Sequence, residues 1–375
     1  MNLKSQFTHN LINIPGWHTK RKIVVIESDD WGSIRMPSKE VYQKFLDKGI
    51  QVDKDPYCRY DSLATKEDLN ALFDVLTSVK DKNGRHAVIT ADTVVANPDF
   101  EKIRASGFSQ YFYEPFTETL KRSPKQDGSF EIWKQGMQFG IFKPQFHGRE
   151  HLNVKKWMRS LQEGEEITRL SFDLGTFGLT SEVDNRIHTN YMGAFNSGLD
   201  KDTLQYNEIL KEGLDLFENI FGYRSVSFIP TTYTWHPDIE PGLKENGVKY
   251  LQGMISQHIP LDDDMTFKYK KNNFLGTKSK AGLIYLTRNV FFEPSHFRDQ
   301  YDVVNECLER IKIAFRWGKP STISMHRLNI IGAIHENNRT VNLMLLRKLL
   351  NEILKRYPDV EFMSSDELGN MICND

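Results

Sequence analysis

Two adjacent aspartates, Asp29 and Asp30, follow an apolar run at residues 22–27 that is predicted to form a buried strand. Burial and mutual repulsion would raise the pKa of neighbouring carboxylates unless a cation is present. Because consecutive side chains of an extended segment point in opposite directions, we expect one carboxylate to bind a metal ion and the other to act as a base. The alternative is structural, since aspartate is also common in turns and at helix N-termini.

A second group consists of His147 and His151, which are four residues apart in the segment His-Gly-Arg-Glu-His. On a helical turn this spacing places both imidazoles on one face, within reach of one ion. With Asp30 they would form a set of two histidines and one carboxylate, and three protein ligands with open positions are typical of a catalytic metal site. A solvated helix start is the structural alternative for the pair.

Two further features of this kind bear on the chemistry. His326 follows a predicted strand near the C-terminus, where it could act as a general acid near neutral pH, although a lone histidine is more often structural. Glu150 lies between the two histidines and completes the pattern HxxEH, which formally matches the inverted motif of zinc peptidases. Those peptidases carry the motif on helices, whereas here a strand precedes it.

These residues depend on a regular alternation of short strands and helices along the chain. The predicted strands are 22–27, 87–91, a strand ending near 146, 226–229, 247–251, 283–286, 321–325 and 360–363. The predicted helices are 152–161, 203–221, 237–245, 298–317 and 340–357. Such alternation indicates parallel βαβ units, and about seven units favour an α/β fold with a closed or nearly closed, mostly parallel (β/α) barrel.

In such a barrel the chemistry lies at the C-terminal ends of the strands. The polar or rigid residues expected on that rim are Asp29, Asp30, Asp92, His147, Pro230, Arg288 and His326. We expect one continuous domain over residues 1–375, with aromatic-rich insertions near 33–69 and 100–143. Tyr57, Tyr60, Tyr111, Tyr113, Phe116 and Trp133 in these insertions could line a ligand-binding groove, but packing is the favoured interpretation.

Composition excludes several classes of function. The 375 residues include 49 basic and 50 acidic side chains, a net charge of −1, which disfavours nucleic acid as a partner. No apolar run approaches the roughly 20 residues that span a membrane, and no signal peptide is evident, so we expect a cytoplasmic protein without membrane insertion. The three cysteines are far apart, which excludes a disulfide framework and leaves His, Asp and Glu as metal ligands.

Three motifs together resemble the polysaccharide deacetylase family, the carbohydrate esterases with NodB homology. Glu27 to Gly32 is similar to the family's Thr-Phe-Asp-Asp-Gly segment with one residue inserted before the glycine. The segment from His147 to His151 matches its His-x-x-x-His motif, and the segment from Ile323 to His326 is similar to its late Leu-x-His motif. The three motifs occur in the same order as in the family, and the resemblance spans roughly residues 20–370. It implies a divergent member of the family with a distorted β/α barrel.

The resemblance also implies roles for individual residues. Asp29 would be the general base, His326 the general acid, and Asp30, His147 and His151 the ligands of one divalent metal ion. Zinc is the expected metal, with cobalt, nickel and manganese as alternatives. The backbone N–H of Thr231 would stabilise the oxyanion, and Trp31 and Trp235, beside the motifs, are expected to contact the substrate.

The sequence departs from the family pattern at two motifs. The family's Arg-x-Pro-Tyr is here Phe228-Ile229-Pro230-Thr231, so the arginine that orients the catalytic aspartate in the family is missing. Arg288 is our candidate to replace this arginine, and we expect it on the substrate side of the site. The family's acidic-Trp segment has no counterpart near residues 252–257. His326 is therefore expected to lack a carboxylate partner, which would weaken support for its charged form.

The leading functional hypothesis is a metal-dependent hydrolase that removes an acetyl group from a sugar or glycan, with N-acetyl favoured and O-acetyl as the alternative. A cytoplasmic location would favour a small or biosynthetic substrate. The alternatives are a catalytically degenerate barrel that binds carbohydrate, and a metallopeptidase in which Glu150 is the base. The sequence indicates no particular oligomeric state.

Overall fold

The computed structural model describes residues 3–198, 200–262, 266–297 and 302–375. The strands in these ranges are β1 (Ile23–Trp31), β2 (Ile89–Thr93), β3 (Ala96–Pro98), β4 (Tyr113–Pro115), β5 (Phe142–Phe146), β6 (Ser227–Phe228), β7 (Tyr250–Gly253), β8 (Gln257–Pro260), β9 (Phe267–Lys270), β10 (Ile284–Thr287), β11 (Val290–Phe291), β12 (Ser321–His326) and β13 (Glu361–Met363). Their order along the chain follows the predicted strands.

The helices surround the main sheet. They are α1 (Leu3–Ile12), α2 (Lys39–Asp47), α3 (Pro56–Tyr60), α4 (Lys66–Thr77), α5 (Phe100–Ala105), α6 (Phe116–Arg122), α7 (Ser129–Gln138), α8 (Val154–Glu163), α9 (Glu166–Asp173), α10 (Asp200–Phe221), α11 (Glu240–Glu245), α12 (Val303–Arg316), α13 (Glu336–Arg356) and α14 (Ser365–Asn374). Short 3-10 turns occur at Thr231–Tyr233, Pro237–Ile239, Pro294–His296 and Arg327–Ile330. None of the helices in the described ranges is long and apolar enough to cross a membrane.

The main sheet is parallel and curled, with the strand order β10-β7-β6-β5-β2-β1-β12-β11 and with β13 also paired to β1. Its two end strands lie in one continuous segment, residues 284–291. The Arg288 N–H donates to the Gly253 carbonyl on one side (2.8 Å), and the Asn289 N–H donates to the Thr322 carbonyl on the other (3.2 Å). The chain itself therefore joins the two edges of the sheet, and the predicted distorted β/α barrel is confirmed.

The strand β1 lies at the centre of the barrel. All nine of its residues are buried, because β2, β12 and β13 pair with it and helices cover the sheet. It extends to Trp31, four residues beyond the predicted end, so both aspartates belong to the strand itself. The reason is that pairing with β2 and β12 continues through the polar residues, which an apolar pattern does not register.

The two predicted insertions are largely helical. Residues 33–69 contain α2, α3 and the start of α4, and residues 100–143 contain α5, α6 and α7. Phe116 and Trp133 pack in the core, as the packing interpretation predicted, and Trp133 contacts the edge of Trp31 with ring centroids 5.4 Å apart.

One predicted helix differs at its start. The sequence pattern indicated a helix over 298–317, whereas α12 runs from Val303 to Arg316, capped by the Asp302 side chain. Residues 298–301 of that prediction lie outside the described residues.

Candidate metal and catalytic site

Both aspartates of β1 face the same cavity, contrary to the expectation that adjacent side chains point in opposite directions. The register between β1 and β2 shifts between Ser28 and Trp31, and Asp30 adopts a left-handed backbone conformation with φ of 72°. This conformation interrupts the alternation of the strand. Aspartate is among the few residues other than glycine that tolerate it, which explains why a carboxylate can lie at this kink.

Asp30, His147 and His151 form a compact buried group. Their ligand atoms lie within 4.8 Å of one another. Asp30 Oδ1 is 3.5 Å from His147 Nε2 and 3.3 Å from His151 Nε2. The sequence therefore predicted correctly which three potential ligands come together.

Hydrogen bonding prepares these atoms for a cation. His147 Nδ1 lies 2.8 Å from the Ile229 carbonyl and so must carry the proton, which leaves the lone pair of Nε2 towards Asp30. That Nε2 is buried without a hydrogen-bond partner among the described residues. A buried lone pair facing a carboxylate oxygen is unfavourable unless a positive ion lies between them, so the residues present fit a divalent metal.

The electrostatic surroundings keep the ligands in their binding forms. Burial lowers the pKa of His151 to about 3, so its imidazole is neutral. Burial opposes ionisation of Asp30, but the charge of the neighbouring Arg35 outweighs it and holds the Asp30 pKa well below its usual range. The Arg35 Nη2 donates to Asp30 Oδ2 over 2.8 Å, which leaves Oδ1 for the histidines.

The histidines lie on a loop, not on a helical turn as their spacing suggested. Helix α8 begins only at Val154, with Asn153 as its N-cap. The loop is held instead by the His147 N–H, which donates to the Thr93 carbonyl over 2.8 Å, and by Gly148 at a φ of 115°. A five-residue loop can bring its two ends together as a helical turn does, so the prediction of shared ligation did not require the helix.

Asp29 is held by Arg288, the residue proposed to replace the missing arginine. Arg288 Nη1 and Nη2 donate to the two oxygens of Asp29 over 2.6 and 2.5 Å. Burial alone would raise the pKa of Asp29, but the charge and hydrogen bonds of Arg288 outweigh burial and lower this pKa to about 2. Arg288 is buried and does not line the cavity, so its place is behind the base and not, as predicted, on the substrate side.

His326 has a carboxylate partner, which corrects the expectation that it lacks one. Its Nδ1 lies 2.6 Å from Glu293 Oε1, and its Nε2 lies 3.6 Å from Asp29 Oδ2. Asn329 Nδ2 donates to the other Glu293 oxygen over 2.6 Å. Burial alone would lower the pKa of His326, but Glu293 and Asp29 raise it to about 9.

The partner was missed because it comes from the segment after β11 and not from residues 252–257. The one sequence signal was its place: Glu293 lies two residues after β11, which pairs with β12, the strand that carries His326. A carboxylate at that position is within reach of the histidine only because the barrel closes there.

The cavity in front of these residues has a volume of about 480 Å³, within the range of about 300–1,000 Å³ common for small-molecule sites. Besides Asp29, Asp30, His147, His151 and His326, it is lined by Arg35, Asp55, Pro56, Tyr57, Gly178, Thr180, Glu182, Asn190, Met192, Pro230, Thr232, Tyr233 and His296. Tyr57 comes from the first insertion, so this insertion contributes a wall of the site. Its ring edge contacts His326 with centroids 5.3 Å apart.

Three of the residues expected to contact substrate do not line this cavity. Trp31 is 0% exposed, and its indole N–H donates to the Ser28 hydroxyl. Trp235 is 2% exposed and donates to Glu240. The Thr231 side chain is buried and accepts from the Ala194 N–H. A position next to a motif in the sequence did not predict a place on the cavity, because the side chains of these three residues turn into the core.

Glu150 is equally remote from the cavity. Its Oε1 accepts from Arg149 Nε (2.7 Å) and from the Tyr111 hydroxyl (2.9 Å), and the side chain is buried. Burial raises the pKa of Glu150, although Arg149 opposes this. Glu150 therefore belongs to a separate buried group behind the histidine loop.

A buried chain of alternating charges connects Asp30 with the strand of His326. Arg35 contacts Asp30 and lies 3.8 Å from Asp61, and Asp61 accepts from Arg327 through both oxygens (3.0 and 2.9 Å). Arg327 directly follows His326 in the chain. Arg35 and Asp61 come from the first insertion, so this insertion contacts the site at two places, Asp30 and Arg327.

Removal of Arg327 is expected to destabilise the protein strongly. Arg327→Met would leave the buried Asp61 carboxylate with only Arg35, 3.8 Å away and itself paired with Asp30, and loss of one partner of a buried pair costs about 3–5 kcal/mol. Urea denaturation would measure this change in the free energy of unfolding. Lys121→Met removes the exposed ion pair with Glu118 and is the control, for which we expect little change. Equal effects of the two substitutions would contradict the structural importance of the buried chain.

Comparison with known proteins adds no assignment from sequence, since no family profile and no curated protein matches the chain. Solved structures do match. They include a protein assigned as a polysaccharide deacetylase from Mycobacterium smegmatis (11% identity, 96% of this chain and 93% of that chain covered, TM-score 0.46) and another so assigned from Pseudomonas aeruginosa PAO1 (10%, 94% and 91%, 0.48). An allantoinase also matches (12%, 95% and 93%, 0.42).

These matches include the family that the three sequence motifs resemble. At such identities and TM-scores, no statement about activity passes from these proteins to this chain. What the chain does is therefore inferred from its own site residues.

Proposed function

We propose that this chain is a metal-dependent hydrolase that removes an N-acetyl group from a sugar or glycan. The observation that carries the proposal is the meeting, in one cavity, of the buried group Asp30, His147 and His151 with Asp29 and His326. A metal site beside a paired base and acid is the arrangement that metal-assisted amide hydrolysis requires.

Asp30, His147 and His151 would hold the divalent ion, zinc in our proposal, with cobalt, nickel or manganese as alternatives; the chemistry supplied there would be polarisation of the acetyl carbonyl and acidification of a water. Asp29 accepts the proton of that water, while Arg288 holds both carboxylate oxygens and so fixes their direction. His326 is held in its charged form by Glu293 and donates a proton to the departing nitrogen. Although the Thr231 side chain turns into the core, the residue lies between Pro230 and Thr232, which line the cavity, and its backbone N–H is the proposed donor to the oxyanion.

The acid favours an amide over an ester as substrate. An amine cannot leave from a tetrahedral intermediate without a proton, whereas an alkoxide depends less on one. His326, with its pKa raised to about 9 by Glu293 and Asp29 against the effect of burial, keeps that proton across neutral pH. This supports N-acetyl rather than O-acetyl hydrolysis. Acetylated sugar is the proposed substrate class because Tyr57, Met192 and Asn190 offer apolar faces and an amide to a ring with hydroxyls.

The two alternative functions find less support. A peptidase using HxxEH needs Glu150 as its base, but that carboxylate is tied to Arg149 and Tyr111 outside the cavity. A degenerate binding barrel was suggested by two missing family motifs. Arg288 and Glu293 supply the corresponding partners from other segments, so the base and the acid are both supported.

The proposal is tested by metal content together with acetate release from a panel of N- and O-acetylated sugars. We expect one metal ion per chain and acetate from an N-acetylated sugar. Asp30→Ala and His147→Ala should lose both the metal and the turnover, because each removes one of three ligands. Glu150→Gln is the control and should retain both. Metal-free protein after incubation with zinc, or full activity in Asp30→Ala, would show the proposal to be wrong.

A further inference from the structure

A fully buried guanidinium, that of Arg288, is shared by three carboxylates. It contacts Glu27 (2.5 Å), Asp29 (2.5 and 2.6 Å) and Asp92 (2.9 Å), and all of these side chains are buried. Asp29 lies on the cavity, whereas Glu27 and Asp92 do not. Three buried negative charges around one positive charge are strongly unfavourable in a medium of low dielectric constant.

Neighbouring groups do not repair this imbalance. His326 approaches Asp29, but its charge is matched by Glu293. The other contacts of the group are neutral: the Ser365 hydroxyl donates to Glu27 over 2.6 Å, and the Gln252 amide lies 3.4 Å from Asp92. One of the three carboxylates must therefore carry a proton.

We propose that Asp92 is this protonated carboxylic acid and that it serves as a positioning residue, donating a hydrogen bond to Asp29. This inference rests on the proposed function, in which Asp29 is the base. It assigns a role to a residue that the sequence indicated only as lying on the rim.

The contacts of Asp92 identify it as the proton carrier. Its Oδ2 faces the Arg288 Nη2 and the Gln252 amide, whereas its Oδ1 is buried and accepts no hydrogen bond from the described residues. A carboxylate oxygen without a donor is costly, but a protonated oxygen can itself donate. Asp29 and Asp92 are neighbours, since both accept from the same Arg288 Nη2 (2.5 and 2.9 Å), and burial together with the Asp29 charge raises the pKa of Asp92 well above its usual range.

The proton on Asp92 determines which carboxylates the Arg288 guanidinium charge is paired with. With Asp92 neutral, the guanidinium charge is divided between Glu27 and Asp29, and Asp29 keeps its two-point contact. An ionised Asp92 would compete for the same Nη2 and repel Asp29 from its place at the cavity. Asp92 thus holds the base in position without touching the substrate.

Asp92→Asn is the direct test, because an amide has the shape, the neutrality and the donor of a protonated carboxyl. We expect kcat within about threefold of the parent protein, since the asparagine amide can still donate to Asp29 and accept from Arg288. Asp92→Ala removes them, and we expect kcat to fall by about 10- to 100-fold, as for other outer positioning residues, with KM unchanged. An Asn variant as impaired as the Ala variant would overturn the proposal.

The proton itself can be detected independently of catalysis. In the infrared difference spectrum at neutral pH, Asp92→Asn should lose the carbonyl band of a protonated carboxyl. The control Asp359→Asn, which changes an exposed carboxylate paired with Lys22, should lose only a carboxylate band. Loss of a carboxylate band from Asp92→Asn would refute the inference. This spectrum decides the protonation of Asp92 even if no acetylated sugar is hydrolysed, so failure of the proposed function is distinguished from failure of this inference.

Discussion

Replacement of Asp29 by asparagine is expected to lower kcat for acetate release by about 10²- to 10⁴-fold, the usual contribution of a general base. Asparagine cannot accept the proton, and it also replaces one of the two oxygens that Arg288 holds. Asp30, His147 and His151 are unchanged by the substitution. We therefore expect metal content to equal that of the parent protein.

The measurement combines steady-state kinetics with metal analysis of the same preparation. Asp74→Asn, a change of an exposed carboxylate on α4, is the matched control and should leave kcat unaltered. Turnover of Asp29→Asn near that of the parent would show that Asp29 is not the base. Loss of metal from Asp29→Asn would instead show that the two aspartates share the task of ligation.

Replacement of Glu293 by glutamine is expected to shift the titration of His326 by more than two pH units. In the metal-free protein, Glu293 and Asp29 overcome the effect of burial and raise the pKa of His326 to about 9. Without the Glu293 charge, burial dominates and the pKa should fall to or below its ordinary value of about 6.5. Proton NMR titration of the imidazole would measure the shift, and the half-buried His258 should titrate identically in both proteins.

The sign of the pH effects follows from this shift. Since the acid must be protonated, activity dependent on it is lost as the pH rises through the pKa of His326, and the variant should lose it at lower pH than the parent. Because the pKa is raised by folding, the stabilisation from the His326–Glu293 pair is fully present below about pH 6.5 and is lost as the pH rises through about 9. An alkaline limb at the same pH in both proteins would contradict the assignment of His326 as the acid.

The sequence predicted the residues of the site better than their surroundings. The C-terminal ends of parallel strands meet on one rim whatever loops follow them, so Asp29, Asp30 and His326 could be placed together from the strand pattern alone. The prediction that Asp30, His147 and His151 come together required only that His147 follow another strand of the same parallel sheet. These predictions did not depend on side-chain packing.

The errors have a common physical cause. A pattern of residue types does not reveal the left-handed backbone of Asp30, which sets the direction of its side chain. It also does not show whether an aromatic residue such as Trp31 turns towards a cavity or the core. Glu293 was missed because its pairing with His326 depends on where the barrel closes, and the closing segment is more than 250 residues from β1 in the chain.

The first insertion illustrates what a family pattern leaves out. Its residues Arg35 and Tyr57 contact Asp30 and His326 respectively, the proposed metal ligand and the proposed acid, and Asp61 connects it to Arg327. A segment outside the recognised motifs thus supplies a wall of the cavity and part of its charge balance.

The segment of residues 284–291 that joins the two edges of the barrel also carries Arg288 at the point where it passes from one edge to the other. Sealing of the sheet and delivery of the guanidinium to Asp29 are therefore a single event. A chain whose seam is still open would have its carboxylates assembled without their cation and, under the proposed function, could not orient Asp29 as the base. Turnover would then report on completed folding, because the proposed proton transfer requires a sealed barrel.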